Sequence, residues 1–184
     1  MVSQQPPQLH VGVLSMAGKP SNSILMFMAV VLLMAILLVT VIALKPLPRL
    51  IWNASESVPI GLYWIEYRQP NLGEIAVLKP PEWVQLIADE RHYLPNFAWF
   101  LKPVVATNGA IICRFGRLIF VNGKLVARAH LHDQLGRNLP TWKGCKVLRS
   151  SQVFLLSKHR DSFDSRYFGS IDTTLIIGTA KRLL

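Results

Sequence analysis

Cysteine is scarce in this 184-residue chain, which contains only Cys113 and Cys145. Neither lies in a Cys-x-x-Cys motif, and no group of Cys and His residues has the spacing of metal ligands. The sequence therefore predicts no zinc or other metal site and no cofactor. In an oxidising compartment the two thiols could form a disulfide, but two unpaired buried thiols remain the alternative at this point.

Acidic residues are also few, because 10 Asp and Glu stand against 20 Lys and Arg, for a net charge of +10. Of the basic residues, only Lys19 precedes residue 45. A domain with such a charge is attracted to anionic lipid headgroups or to nucleic acid. The sequence has no basic helix and no set of aromatic residues for base stacking. A nearby membrane therefore explains the charge better, and we expect no nucleic-acid partner.

Charge, proline and glycine are all absent from Ile24–Leu44, a run of 21 residues. At about 1.5 Å per residue a helix of this length spans a hydrocarbon core of about 30 Å. A cleaved signal peptide is the alternative, but its apolar region is usually only ~7–15 residues long, and no small-x-small cleavage site follows. We expect a disordered tail over residues 1–23, a transmembrane helix over 24–44 and one domain over 45–184. Basic residues flank both ends of the helix, so charge does not fix its orientation.

Strand patterns dominate the domain after this helix. Asn122-Gly123 between two apolar runs is a strong hairpin signal, and Pro80-Pro81 introduces one helix over residues 82–92. The fold class predicted is mainly β, an antiparallel sheet domain with one short helix. Strands are expected over residues 61–67, 74–78, 99–106, 111–115, 117–121, 124–129, 153–157 and 174–180.

Ser57 is the first candidate for chemistry. It lies in a turn punctuated by Pro59 and Gly61, shortly after the apolar run. A membrane-surface hydrolase would keep its nucleophile in such a place, although a serine in a turn before a strand is also an ordinary feature. In an extended segment Glu56 would point away from Ser57, so we expect it to be a solvated carboxylate.

A serine nucleophile needs a base, and the sequence offers two kinds. No histidine has a recognisable Asp partner motif and no nucleophile elbow surrounds Ser57, although triads assemble from distant positions. Lys102 lies in the apolar stretch 98–106, where burial would lower its pKa enough to make it a base. Its amine could instead reach solvent from a strand. The histidines are His10, His92, His130, His132 and His159.

Several motifs resemble one family when taken together. Ser57 to Tyr63, Ser-x-Pro-x-Gly-Leu-Tyr, is similar to the nucleophile box of type I signal peptidases, and specifically of the TraF-type conjugative-transfer peptidases. Residues 102–110 resemble the family's lysine box, with departures at Pro103, Asn108 and Ala110. The last box is matched more fully by residues 161–169, the hairpin by residues 120–124, and a stretch of the transfer-peptidase branch by residues 136–145.

The resemblance implies a role for each matching residue. Ser57 would be the nucleophile and Lys102 its general base, in a Ser-Lys dyad. The Ser55 hydroxyl and the Ser57 backbone N–H would form the oxyanion hole. Ser162 would orient the lysine amine, and Asp164 with Arg166 would form a buried structural pair.

The resemblance also implies a function and a location. It predicts a signal-peptidase-like fold and a membrane-anchored serine endopeptidase that processes a membrane-bound precursor, a conjugative propilin, by cleavage with or without head-to-tail cyclisation. The protein would cross the bacterial inner membrane once, with a periplasmic domain in which Cys113 and Cys145 can pair. Its partners would be the propilin, the lipid bilayer and other transfer-apparatus proteins. A non-catalytic single-pass subunit of a transfer or secretion apparatus and a general signal peptidase are the alternatives.

Overall fold

The structure is a computed structural model that describes residues 21–44, 47–93 and 99–184. Most of the tail predicted over residues 1–23, including His10, lies outside these residues, as do positions 45–46 at the start of the predicted domain. The chain divides after Leu47 into two compact units, each of which is described by itself.

The first unit contains a single helix, α1, over Asn22–Leu44. Its residues are almost all apolar, and no proline or glycine interrupts them. The Thr40 hydroxyl donates to the Ile36 carbonyl at 2.7 Å, so this polar group is satisfied within the helix. By length and composition Asn22–Ala43, with a mean hydropathy of 3.1, could cross a membrane. One such helix fits a single-pass anchor.

The described residues of the second unit form two antiparallel sheets and two α-helices. The larger sheet has seven strands and the smaller has four. In chain order the elements are β1 (Leu50–Asn53), β2 (Gly61–Glu66), β3 (Ile75–Leu78), α2 (Glu82–Glu90), β4 (Phe100–Ala106), β5 (Ile111–Phe115), β6 (Leu118–Val121), β7 (Lys124–Arg128), β8 (Gly144–Val147), β9 (Gln152–Leu155), α3 (Ser165–Phe168), β10 (Ile171–Asp172) and β11 (Ile176–Arg182).

Strand β11 joins the two halves of the larger sheet, whose order is β1-β2-β11-β3-β4-β9-β10. It pairs with β2 on one side and with β3 on the other. Gly178 lies at an irregularity in the pairing with β3, and a Cβ added there would lie 2.4 Å from the Glu66 carbonyl oxygen. Only glycine therefore lets β2 and β11 approach this closely.

The core of the second unit lies on both faces of β4. Residues 100 and 104 of β4 pack with α2 and with the segment around Phe163 and Tyr167. The smaller sheet, in the order β7-β6-β5-β8, packs on the larger one through Ile112, Ile119 and Phe154. Strand β4 is buried on both of its faces, whereas a strand such as β2 alternates between buried and less buried residues.

The mainly β, antiparallel class predicted from the sequence is confirmed, with most strand boundaries within two residues. The structure adds the short strands β1, β8 and β10 and a second helix, α3, of four residues. The α3 helix begins because the Asp164 side chain accepts from the Arg166 N–H, and it ends at Gly169 with φ 75°. The α2 helix ends at Glu90 rather than at residue 92, because His92 has φ 55°.

A disulfide joins Cys113 of β5 to Cys145 of β8, at positions that face each other across the two strands. All four residues of β8 are exposed, so packing contributes little to holding this strand at the edge of the smaller sheet. The disulfide therefore holds β8 against β5, where packing contacts would hold a buried strand.

We expect the double variant Cys113→Ser/Cys145→Ser to be less stable by about 3–4 kcal/mol, because the sequence separation of 32 residues defines a loop whose closure restricts the unfolded chain. Denaturant unfolding of the full chain in detergent, with and without a reductant, measures this difference. The reductant should lower the stability of the wild type and leave that of the double variant unchanged. A wild type insensitive to reduction would contradict the prediction.

Candidate active site

The turn that carries Ser57 connects β1 to β2 and is held from within by Asn53. The buried Asn53 amide nitrogen donates to the carbonyls of Ser55, Val58 and Pro59 at 2.7, 3.0 and 3.2 Å. Val58 is buried and fixes the turn to the core beneath it. Ser57 itself is half-buried, so its hydroxyl is held in place and still reachable.

Lys102 lies on β4, on the same face of the strand as Phe100 and Val104, and is only 3% exposed. Its amine donates to Ser57 Oγ at 2.6 Å and to Ser162 Oγ at 2.7 Å. The two hydroxyl oxygens are 3.1 Å apart, so the three groups form a closed triangle. The structure thus brings together three residues that are far apart in sequence.

Burial lowers the pKa of the Lys102 amine from 10.5 to about 8. The negative charge of Asp164 opposes this shift, and the positive charge of Arg166 adds to it. A protonated amine loses its hydration in this site and receives no carboxylate contact in return. A sizeable fraction of Lys102 is therefore neutral near pH 7–8, when an ordinary lysine is fully charged.

Asp164 and Arg166 form a buried ion pair, 0% and 3% exposed at their side chains. Arg166 Nε donates to Asp164 Oδ1 at 2.9 Å, and Arg166 Nη2 to Asp164 Oδ2 at 2.8 Å. The guanidinium also donates to the carbonyls of Ser157 and His159, both at 2.7 Å, and to that of Arg160 at 2.9 Å. One side chain thus fixes the backbone of the loop between β9 and Ser162.

Two contacts between this loop and the Ser57 turn were not predicted from the sequence. The Ser157 hydroxyl donates to the Ser57 carbonyl at 2.5 Å and accepts from the His159 N–H at 3.0 Å. Glu56, expected to be solvated, remains 69% exposed but lies 2.8 Å from His159 Nε2. No pattern in the sequence indicates that Ser157, which follows an apolar strand, bonds to the turn that carries Ser57.

Ser55 is also in the turn, but its hydroxyl does not point toward Ser57. It donates to Asn53 Oδ1 at 2.9 Å. Among the described residues, no acceptor is bonded to the backbone N–H of Ser57. One backbone donor is therefore available beside Ser57 Oγ, and a second would require rotation of the Ser55 hydroxyl.

A cavity of about 700 Å³ opens beside the triangle. Phe100, Leu139 and Phe163 give it an apolar lining. Within the described part of the chain, Ser57 Oγ has Lys102 and Ser162 as partners and no histidine. The described residues also contain no group of three or more His, Cys, Asp or Glu side chains that could hold a metal ion. The cavity lining includes His92, His130, His132 and His159.

The family match and the related sequences agree with each other. The family described as "Signal peptidase, peptidase S26" matches residues 21–184, and the chain belongs to this family. A plasmid transfer protein TraF of Escherichia coli is 31% identical over 144 residues, which cover 72% of this chain and 81% of that protein. A probable conjugal transfer protein TraF of Sinorhizobium fredii is 31% identical over 143 residues, 72% of this chain and 75% of that protein. A crystal structure of a signal peptidase I from Enterococcus faecalis aligns at 16% identity with a TM-score of 0.35, over 62% of this chain and 98% of that chain.

The burial of Lys102 has a measurable effect on stability. The folded-state pKa of about 8 lies below the unfolded value of 10.5, so the unfolded chain binds more protons between these two pH values. The cost of burying the charged amine is therefore complete below pH 8 and disappears as pH rises toward 10.5.

We expect the stability of Lys102→Met relative to the wild type to be highest below pH 8 and to fall as pH rises, by about 3 kcal/mol over the whole window. Denaturant unfolding of both proteins in detergent at pH 7, 8, 9 and 10 measures the trend. The exposed Lys124→Met is the matched control and should differ from the wild type by the same amount at each pH. A difference for Lys102→Met that does not change with pH would contradict the prediction.

Proposed function

We propose that this chain is a membrane-anchored serine endopeptidase in which Ser57 is the nucleophile and Lys102 its general base. The observation that carries this proposal is the 2.6 Å contact between Ser57 Oγ and a buried lysine amine whose pKa is lowered to about 8. Membership of the peptidase S26 family supports it independently. A buried lysine in a purely structural role would not need to contact a reachable serine.

In the proposed reaction, neutral Lys102 accepts the Ser57 proton while Ser57 Oγ attacks the carbonyl carbon of the scissile peptide bond. The resulting ammonium then gives its proton to the leaving nitrogen, and an acyl-enzyme forms. Water, or an amine of the substrate, then attacks the ester while Lys102 takes its proton. The lysine returns that proton to Ser57 Oγ as the ester bond breaks, which regenerates the free serine. With a pKa of about 8, roughly one Lys102 in ten is neutral at pH 7, which is sufficient for a base.

Ser162 would orient the amine throughout this cycle. Its 2.7 Å contact with Lys102 Nζ is buried, and in the described part of the chain the amine has one other hydrogen-bond partner, Ser57. The Asp164–Arg166 pair would fix the loop that carries Ser162 and would take no part in proton transfer. The Ser157 bond to the Ser57 carbonyl ties the same loop to the nucleophile.

The oxyanion would be stabilised by the Ser57 N–H and the Ser55 hydroxyl. The Ser55 hydroxyl now donates to a neutral amide oxygen of Asn53, so it must rotate when a substrate carbonyl develops negative charge. A charged oxygen is the stronger acceptor, and such a donor typically accelerates the reaction by on the order of 100-fold or more.

We propose a propilin of a conjugation apparatus as the substrate, because the relatives are plasmid and conjugal transfer proteins. The domain over residues 45–184 would lie in the periplasm, the helix over 24–44 would cross the bacterial inner membrane, and residues 1–23 would form a cytoplasmic tail. The disulfide supports this orientation, since disulfides persist in the oxidising periplasm. The bilayer and other transfer-apparatus proteins would be the further partners, and nucleic acid would not.

We expect Ser57→Ala and Lys102→Ala each to abolish processing of a candidate propilin co-produced in bacterial membranes, because one loses the nucleophile and the other its base. Mass spectrometry of the pilin measures the product, and a mass one water below that of the linear cleaved pilin marks cyclisation. The exposed variants Ser150→Ala and Lys124→Ala are the matched controls and should process normally.

Processing by both active-site variants would refute the peptidase proposal and favour a non-catalytic subunit of the apparatus. A panel of unrelated preproteins tests the general signal peptidase alternative. Cleavage of the whole panel as efficiently as of the propilin would support that alternative.

We also expect kcat/KM for a peptide substrate to rise with pH and to level off above pH 8, because only the neutral form of Lys102, with a pKa of about 8, accepts the Ser57 proton. Initial rates between pH 6 and 10, with a substrate that does not titrate in this range, measure the profile. A midpoint near 6.5 would instead indicate a histidine base and would contradict the role of Lys102.

A further inference from the structure

A second cavity, of about 310 Å³, opens in the same unit between the β6–β7 hairpin and the loop after β9. The hairpin contributes Arg117 and Arg128, and the loop contributes Lys158 and Arg160. None of the described residues that line it is acidic, and Val126 supplies part of an apolar wall. Four cationic side chains therefore meet in a cleft large enough for a small ligand.

These four cations have no acidic partner. Among the described residues, no carboxylate oxygen lies within 4.0 Å of any of their charged nitrogens. All four residues are exposed, so their charges are not buried and neutralised by other means. Like charges that converge in a cleft raise the local positive potential and attract anions.

Few acidic residues lie near this cavity. Residues 99–132, which include β4 to β7, contain no Asp or Glu. The nearest acidic residues along the loop contact two further lining residues, because Asp161 lies 3.4 Å from His130 Nε2 and Asp164 is paired with Arg166. The charges of Asp164 and Arg166 offset each other, which leaves the four cations without an acidic partner. The cavity is therefore positive as a consequence of both the sequence and the local pairing.

We propose that this cavity, between the β6–β7 hairpin and the loop after β9, binds a phosphate group, either of an anionic lipid headgroup or of free phosphate. Three arginine guanidiniums can bind phosphate oxygens in pairs, and Lys158 adds a compact charge. Arg117 is already oriented, since its Nε donates to the Ala129 carbonyl at 3.0 Å and its two Nη groups remain for a ligand.

The same loop connects this cavity to the Ser57 turn. Lys158 and Arg160 flank His159, and Ser157, which also lines the cavity, donates to the Ser57 carbonyl. A bound phosphate would hold Lys158 and Arg160 together and restrain the loop. Any effect on activity rests on the proposed function, whereas the binding itself does not.

The experiment measures thermal unfolding of the full chain in a neutral detergent, at constant ionic strength and with the active-site residues intact. Phosphatidylglycerol in mixed micelles, inorganic phosphate and the zwitterionic phosphatidylcholine are titrated separately. We expect a saturable rise of the unfolding temperature with phosphatidylglycerol or with phosphate. A rise with the lipid alone identifies a headgroup, and an equal rise with both identifies the phosphate group itself.

The double variant Arg128→Gln/Lys158→Gln should weaken the apparent affinity at least tenfold. Neither side chain makes a hydrogen bond among the described residues, so its loss should leave the fold intact. Lys124→Gln/Arg149→Gln removes the same charge from exposed positions outside the cavity and should bind like the wild type.

An unfolding temperature that rises with none of the ligands would overturn the proposal. An equal loss of apparent affinity in both double variants would also overturn it, because that result indicates general attraction to the charged surface. Neither result depends on peptidase activity. A failure here is therefore distinguishable from a failure of the proposed function.

Discussion

An amine buried in an apolar strand is the constraint on which the rest of the site depends. Lys102 loses nearly all of its hydration on β4, and among the described residues its amine bonds only to two serine hydroxyls. Hydroxyls satisfy a neutral amine well and a charged one poorly, so the environment lowers the pKa of Lys102 and raises the neutral fraction above that of an exposed lysine. The strand must also keep the amine in one position, and its antiparallel neighbour β3, with Ala76 opposite Lys102, leaves room for the long side chain.

The second requirement is rigidity in two segments that have no regular structure. The Ser57 turn is held by the Asn53 amide, and the loop after β9 is held by the Arg166 guanidinium. The buried polar side chains of both segments thereby obtain hydrogen-bond partners. Among the described residues, Ser170 Oγ is the only buried side-chain N or O atom without such a partner. A hydrogen-bonded polar network of this kind favours one arrangement of the two loops. Any other arrangement would leave a buried charged group without partners in an apolar environment.

The sequence predicted much of the fold and part of the site, for different reasons. Strands such as β2 were placed well because a run rich in aromatic and β-branched residues leaves a direct trace in the sequence. The proximity of Ser57, Lys102 and Ser162 has no such trace, because strand pairing over about a hundred residues brings them together, and it was anticipated only by resemblance to a family.

The contacts of the loop after β9 were missed for a related reason. The side chains of Ser157 and Glu56 make hydrogen bonds and an ion pair that depend on side-chain direction in irregular segments. The α3 helix was missed because four residues are too few to show a helical period, although Asp164 at its start is a common capping residue.

The central place of β11 has a consequence for how the protein is made. The β1–β2 hairpin carries Ser57, β4 carries Lys102, and β11 is the strand that holds β2 next to β3. Residues 176–182 leave the ribosome after every other strand described here. Until they have been synthesised and have paired, the two halves of the sheet have no shared strand. Ser57 and Lys102 therefore come into contact late. A chain that is still being synthesised would contain both residues without the contact between them.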